Sequence, residues 1–115
     1  GLVYKLVARE SADGALTPVE KKSKDKASIG GRKYALRRRN QRGIAEAEVV
    51  GVGQPPAADR DDRALLVPLI RDGEVVGRES LDVARARHQN SLAELPRPAL
   101  QMSRGEPVIP TLYKE

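Results

Sequence analysis

Bulky apolar side chains are scarce in this chain of 115 residues, which contains three tyrosines and no Phe, Trp or Cys. Its core must therefore be built from Leu, Val, Ile and Ala, which bury less area per residue than aromatic side chains do. Hydrophobic residues form 39% of the chain and charged residues 32%. This composition predicts one domain's worth of chain with a small or incomplete core.

The same composition excludes several classes of protein. Without Cys, disulfides and thiolate zinc sites cannot form, which fits a reducing compartment. The longest uninterrupted apolar stretch, residues 64–67, is far shorter than the roughly 20 apolar residues of a membrane span. The chain opens without Met and without a signal-peptide pattern, so we interpret its start as a cut within a strand.

Alternating side chains predict a β-hairpin from residues 33–39 and 44–50 around the turn 40–43. In this register one face of the hairpin is apolar, and the other pairs arginines with glutamates. The expected cross-strand pairs are Arg39–Ile44, Arg37–Glu46, Ala35–Glu48, Leu36–Ala47 and Tyr34–Val49.

Further elements precede and follow this hairpin. We expect a strand over 2–9, a turn at Asp13-Gly14, a return strand over 18–21, and a second hairpin, 65–70 with 74–76, around Asp72-Gly73. Ser80 caps a helix that runs to Leu95, and residues 108–109 form an edge strand at most. The helix carries an apolar stripe of Leu81, Ala84, His88, Leu92 and Leu95, whereas Arg85, Arg87 and Glu94 face water.

These elements predict an α+β fold with small antiparallel hairpins, one amphipathic C-terminal helix and an extended tail. We divide the chain into a β-rich segment over 1–53, a linker over 54–63, and a hairpin, helix and tail over 64–115. Together they form one domain, or part of a domain of a longer enzyme.

Positive charge is concentrated in residues 21–42, which hold ten Lys or Arg residues against the single Asp25. The local balance is +9, and the rest of the chain sums to −4. Such a patch is typical of phosphate or nucleic-acid binders, but a charge run is equally typical of a salt-bridged strand face. Within it, the loop 28–33 is either a nest of backbone N–H groups for a phosphate or a bent connection between strands.

Other candidate sites carry weaker patterns. His88 lies in the helix stripe without a catalytic partner, so we expect a packed core residue. Gly51 and Gly53 lack the third glycine and the helix of a dinucleotide loop. Three linker aspartates, Asp59, Asp61 and Asp62, alternate with arginines, and we expect them to be solvated. We therefore predict neither a catalytic residue nor a metal site in this chain.

Three ordered segments nevertheless resemble one family. They are residues 1–7, the set Lys22, Ser23, Lys26, Ser28 and 31–33, and residues 80–87 with 91–96. This series resembles the C-terminal part of nicotinate phosphoribosyltransferase, in order and over nearly the whole chain. Two departures are Gly30, where the family commonly has proline, and His88, where leucine is usual.

The resemblance implies a parent enzyme of cytoplasmic NAD salvage. Such enzymes join nicotinate to phosphoribosyl pyrophosphate, with ATP hydrolysis coupled through a phosphorylated histidine, and they use magnesium and act as homodimers. The reactive histidine and the main phosphate-binding loops belong upstream, so we expect this chain to be inactive alone and to need no cofactor itself. Its partners would be the rest of the enzyme and a second subunit. Lys22, Lys26, Arg32 and Lys33 become hypothetical contacts to an anionic ligand or to that subunit.

Two alternatives remain open. A small RNA-binding module would use residues 21–42, although Tyr34 is the only aromatic residue there for stacking on bases. A free-standing oligomerisation domain would instead use the helix stripe. We expect contact with neither a membrane nor nucleic acid.

Overall fold

The α+β fold of small sheets and one α-helix is confirmed by the computed structural model, which describes residues 3–22, 24, 28–102 and 104–114. In these ranges the elements are β1 (Ala8–Glu10), β2 (Leu16–Pro18), β3 (Lys33–Arg39), β4 (Ala45–Val52), β5 (Arg63–Ala64), β6 (Ile70–Arg71), β7 (Glu74–Val75), α1 (Leu81–Ala93), a 3₁₀ helix (Arg97–Leu100) and β8 (Thr111–Lys114).

A mixed four-stranded sheet forms the centre of the fold. Its strand order is β5-β3-β4-β8, in which β8 runs parallel to β4 and the other neighbours are antiparallel. Alternate residues of β4 are buried because successive side chains of a strand point to opposite faces. The buried hydrophobic residues in the described ranges are Leu36, Ala45, Ala47 and Val49, so the core is aliphatic and small.

The predicted register of the central hairpin was wrong by two residues, since Leu36 lies opposite Val49 and Arg37 opposite Glu48. The loop is residues 41–43, closed by Asn40, whose side chain accepts hydrogen bonds from the amides of Arg42 and Ile44. Gly43 has a φ of 77°, as three-residue hairpin loops require. A bulge at Glu46 then adds one unpaired residue to β4. An even displacement keeps Arg37 and Leu36 on their predicted faces, but Arg38 shares the face of Leu36, so this face is not wholly apolar.

The N-terminal strands are shorter than expected. Antiparallel pairing joins β1 to β2 with Ala8 opposite Pro18, so neither the strand over 2–9 nor the return strand over 18–21 is correct in its bounds. Leu2 lies outside the described residues. The Val7 carbonyl accepts the amides of Val19 at 2.9 Å and of Gly31 at 2.6 Å. These bonds connect the small sheet to the loop that precedes β3.

Strands from both sides of the predicted linker join the central sheet. Arg63 and Ala64 pair with β3 as β5, although residue 63 was assigned to the linker. The tail contributes β8 at residues 111–114, so the edge strand expected at 108–109 was placed too early. The Asp72-Gly73 turn is confirmed between β6 and β7, but each of these strands has only two residues.

Helix α1 begins as predicted but packs differently. The Ser80 hydroxyl accepts the Val83 amide at 3.3 Å, which confirms the cap. No described residue of α1 is buried, and His88 is exposed, so a stripe packed on the sheet and a core histidine were both wrong for this chain. The helix is joined to the sheet at its C-terminal end, where the Glu94 carbonyl accepts the Ala45 amide at 2.7 Å. Neither helix of the described ranges has the length and apolarity that a bilayer crossing demands.

The chain is less compact than its length would allow. Its radius of gyration is 16.6 Å, whereas a globular domain of this length has about 13 Å. Its accessible surface is 10009 Å², whereas a compact monomer of this mass exposes about 6,200 Å². The small core therefore leaves a large area in contact with water.

Gly51 supports a test of the central sheet. A Cβ at this position would overlap the Gln54 carbonyl oxygen and lie 2.9 Å from the Pro56 ring. Since these atoms belong to backbone and a rigid ring, Gly51→Ala should lower the free energy of unfolding by about 2–3 kcal/mol or more. Urea unfolding followed by circular dichroism measures it.

Gly53→Ala is the matched control for this change. Gly53 has open space around its Cα and a φ of 80°, so only the left-handed conformation of the new residue costs free energy, about 1 kcal/mol. A cost at Gly51 no larger than that at Gly53 would contradict the close approach of the linker to β4.

Candidate functional site

One carboxylate gathers three arginines on the charged face of the central sheet. We call Arg37, Arg39, Arg63 and Glu94 the Glu94 cluster. Arg63 makes a two-pronged contact, with Nη2 2.6 Å from Oε2 and Nε 2.9 Å from Oε1 of Glu94. Arg39 Nη1 lies 2.9 Å from Oε1, and Arg37 Nη1 lies 3.6 Å from Oε2. The Glu94 side chain is only 12% exposed.

The strand register explains why these charges meet. Arg37 and Arg39 alternate onto one face of β3, and β5 places Arg63 directly opposite Arg37. Like charges that face each other across strands repel, so the position needs an anion. Glu94 supplies it from the end of α1, and Glu48 adds a 2.7 Å contact to Arg37. The sequence interpretation of Glu94 as a water-facing residue was wrong.

Arg38 points to the other face of β3 and has its own partner. Its Nη2 lies 3.2 Å from Oδ2 of Asp62, whose side chain is 2% exposed. Burial alone would raise the pKa of Asp62, but hydrogen bonds from the Asp59 amide and from Arg38 outweigh burial and hold the pKa below its ordinary value. Asp62 is therefore an internal ion-pair partner, and the expectation that it is solvated was wrong.

Three arginines of the basic run, all of them on β3, thus have structural partners. Arg37, Arg38 and Arg39 are all ion-paired within the fold, which confirms the interpretation of this strand as a salt-bridged face. Three of the ten cations in residues 21–42 are consequently neutralised by carboxylates of the same chain. This pairing reduces the charge that an RNA backbone could contact.

The four candidate anion contacts lie in different surroundings. Lys22 is exposed, and Lys26 lies outside the described residues. The Arg32 guanidinium is exposed and lies 5.3 Å from the centre of the Tyr34 ring. Lys33 is half-buried, and its Nζ donates to the Gly31 carbonyl at 3.1 Å. Their assignment as ligand or subunit contacts stays a prediction.

The glycine pair that precedes β3 does not form a phosphate nest. The Gly30 amide donates to the Glu20 carboxylate at 3.1 Å, and the Gly31 amide donates to the Val7 carbonyl at 2.6 Å. Since both N–H groups are used internally, the loop is a bent connection between strands.

Catalytic and metal-binding groups are not assembled in the described part of the chain. Within it, no three His, Asp or Glu side chains are grouped so that they could hold a metal ion. Asp59 is exposed, and Asp61 keeps 44% of its side-chain surface in contact with water. The arrangement can bind anions and stabilise a sheet, and it provides no nucleophile and base in contact.

Comparison with known proteins finds curated relatives of this chain. The chain is 43% identical over 111 residues to nicotinate phosphoribosyltransferase pncB1 of Mycobacterium tuberculosis, in strains CDC 1551 and H37Rv alike. The match covers 96% of this chain and the C-terminal 24% of those proteins, so the chain spans about a quarter of the length of the curated relatives it matches. The predicted resemblance is confirmed. No family model and no solved structure matches the chain.

Removing the charge of Glu94 tests the cluster. Glu94→Gln leaves three arginines without their common anion, so we expect the free energy of unfolding to fall by about 2–4 kcal/mol. Urea unfolding at neutral pH measures the loss. The matched control is Glu79→Gln, which breaks an exposed pair with Arg87 and should cost less than about 1 kcal/mol. Equal costs for the two changes would contradict the central position of Glu94.

Acid should weaken the same cluster. The Arg63 hydrogen bond, with the charges of Arg39 and Arg37, holds the pKa of Glu94 below its ordinary value against the effect of burial. A carboxylate with a lowered folded-state pKa stabilises the fold fully above its unfolded pKa, about 4.3, and loses this contribution as the pH falls through the folded-state value. The stability difference between the wild type and Glu94→Gln should therefore shrink from pH 6 to pH 3. A constant difference would contradict this assignment.

Proposed function

We propose that this chain is the C-terminal part of a nicotinate phosphoribosyltransferase. The observation that carries the proposal is 43% identity over 96% of the chain. The whole enzyme would join nicotinate to phosphoribosyl pyrophosphate, with ATP hydrolysis, to form nicotinate mononucleotide and pyrophosphate for NAD synthesis. We further propose that it acts in the cytoplasm as a homodimer with magnesium.

The chemical step is proposed to lie upstream of this segment. His88 is exposed on α1 and has no described acidic or nucleophilic side chain bonded to it, so its surroundings do not support catalysis. The described acidic residues do not fit a magnesium site. We therefore assign neither magnesium nor ATP to residues of this chain. We propose that the chain has a structural role in the whole enzyme.

An exposed aliphatic segment supports a covering partner. Residues 65–77, which we call the aliphatic arm, contain β6, β7 and their turn. Six of its large apolar side chains are exposed, from 49% at Val76 to 69% at Val67. Contiguous apolar surface of this kind marks an interaction site. The six are Leu66, Val67, Leu69, Ile70, Val75 and Val76.

The remainder of the same enzyme is the partner that we propose for the arm. The excess accessible surface of the chain, close to 4,000 Å² over a compact monomer, is several times the about 800 Å² that each partner buries in a standard interface. The curated relatives are about four times as long as the matched segment, so they contain enough chain to cover such an area. A second subunit would cover what remains.

Turnover of nicotinate tests the proposal. The full-length protein should form nicotinate mononucleotide when nicotinate and phosphoribosyl pyrophosphate are both present, and the 115-residue chain alone should form none. Nicotinamide in place of nicotinate is the matched substrate control, and its turnover should be much slower. Activity of the 115-residue chain, or a full-length protein that does not use nicotinate, would refute the proposed function.

A further inference from the structure

The chain contains two Asp-Gly dipeptides, and the fold gives them different surroundings. Asp13-Gly14 lies between β1 and β2, and Asp72-Gly73 lies between β6 and β7. Both dipeptides are exposed. An Asp-Gly sequence can react with itself, because glycine has no Cβ to keep its own amide nitrogen away from the preceding carboxyl group. The hydrogen bonds around each dipeptide decide whether this reaction proceeds.

Both reacting groups of Asp13-Gly14 are occupied. The Asp13 carboxylate accepts hydrogen bonds from the Ser11 hydroxyl and, at 3.2 Å, from the Ala15 amide. The Ser11 bond, and after it the Ala15 bond, holds the pKa of Asp13 below its ordinary value, so its carboxyl group stays ionised. The Gly14 amide donates to the Ser11 carbonyl at 2.9 Å. Asp13 is therefore fixed in the form that has no good leaving group, and the nitrogen that would attack it is engaged elsewhere.

Asp72-Gly73 has no such bonds in the described part of the chain. No hydrogen bond or ion pair there involves the Asp72 carboxylate, and the Gly73 amide donates to no backbone carbonyl. Asp72 has a φ of 51°, and among the described residues it alone combines a side chain with a positive φ. This conformation is unfavourable for an L-residue, so opening of the turn relieves strain.

The hairpin that carries Asp72 is held by few contacts. β6 and β7 form two residue pairs, Ile70 with Val75 and Arg71 with Glu74, and a hairpin this short is marginally stable in water. Its tip carries three exposed charged side chains, those of Arg71, Asp72 and Glu74. Since charged residues are rarely buried without a partner, we expect the tip to stay in water when the apolar side chains of the aliphatic arm are covered. Local opening then lets the Gly73 nitrogen reach the Asp72 carboxyl group.

We propose that Asp72 is a site of spontaneous isomerisation to isoaspartate, and that the fold protects Asp13 from the same reaction. The Gly73 nitrogen bonds to Cγ of Asp72 and gives up its proton, and the carboxyl hydroxyl leaves with that proton as water, which closes a succinimide ring. Water then adds to the main-chain carbonyl of the ring and breaks its bond to the nitrogen, so the chain continues through Cγ. One water molecule leaves and one enters, and no oxidant or other reactant is needed.

Isomerisation changes the turn of the aliphatic arm. The isoaspartyl link inserts Cβ and Cγ of Asp72 into the main chain and leaves the former main-chain carboxyl group as a side group, so β6 and β7 lose the register of their two residue pairs. The altered turn belongs to the segment that we propose the rest of the enzyme covers. Only this consequence rests on the proposed function, since the reaction itself depends on the turn.

Peptide mapping of the full-length protein tests the inference. Trypsin separates the two dipeptides, because it cleaves after Lys21 and Arg63, which lie between them. After incubation at neutral pH in heavy-oxygen water, the peptide with Asp72 should yield a second form that elutes separately, has the same sequence and carries heavy oxygen. The isoaspartate fraction at Asp72 should exceed that at Asp13 by about fivefold or more, because reaction at Asp13 must first break two hydrogen bonds.

Urea and a matched variant separate the effect of the fold from that of the local sequence. In urea the protecting bonds are absent, so the two sites should react at rates within about twofold of each other. Ser11→Ala in the folded protein should raise the rate at Asp13 by about threefold or more and leave the rate at Asp72 unchanged. Circular dichroism checks that the variant is folded, and the urea comparison decides alone where it is not.

Three results would overturn the inference: no isoaspartate at Asp72, equal fractions at both sites of the folded protein, or a difference between the sites that persists in urea. An unchanged rate at Asp13 in folded Ser11→Ala refutes the protection by Ser11. Normal nicotinate turnover with an unreactive Asp72 refutes this inference alone. Isoaspartate at Asp72 in a protein without nicotinate turnover refutes the proposed function alone.

Discussion

Glu94 is the residue on which the arrangement of sheet and helix depends. Pairing of β5 with β3 sets Arg63 against Arg37, and this contact of like charges is tolerable because one carboxylate binds both. The backbone of the same residue accepts the Ala45 amide at the start of β4. The side chain of Glu94 thus connects the end of α1 to β3 and β5, and its carbonyl connects it to β4. Since the body of α1 has no buried residue, this single attachment positions the helix.

The cations of the basic run differ in their ion pairing according to their position relative to β3. Arg37, Arg38 and Arg39 occupy the second half of the strand, where carboxylates from β4, the linker and α1 neutralise them. Lys33 begins β3 and Arg32 precedes it, and in the described ranges neither of them has a carboxylate partner. A net charge counted along the sequence cannot separate these halves, because the neutralising residues are distant in sequence. In the described ranges, the ion pairs that the basic run makes with carboxylates of the same chain therefore involve only the arginines in the second half of β3.

Sequence patterns predicted the features that neighbouring residues determine. They did not predict the contacts between residues that are far apart in the chain. The faces of the central hairpin follow from alternation, the Asp72-Gly73 turn from its dipeptide, and the Ser80 cap from its hydroxyl. Asp62 and Glu94 were misjudged because their partners Arg38 and Arg39 are 24 and 55 residues away in the chain. The predicted register failed by one residue because the loop is 41–43 instead of 40–43, and by a second because the bulge at Glu46 has no signature in the alternation.

The small hydrophobic core of this chain supports the proposal that the chain shares a core with the rest of the enzyme. Four buried aliphatic residues within 3–22, 24, 28–102 and 104–114 are few for a chain of this length, and the sheet is held largely by backbone bonds and ion pairs. Partly buried ion pairs position strands well, but they contribute little net stability because desolvation offsets their attraction. Hydrophobic burial must supply the remainder. The aliphatic arm and the exposed Leu81 and Val83 of α1 hold apolar surface that could do so, and we propose that the rest of the enzyme covers it.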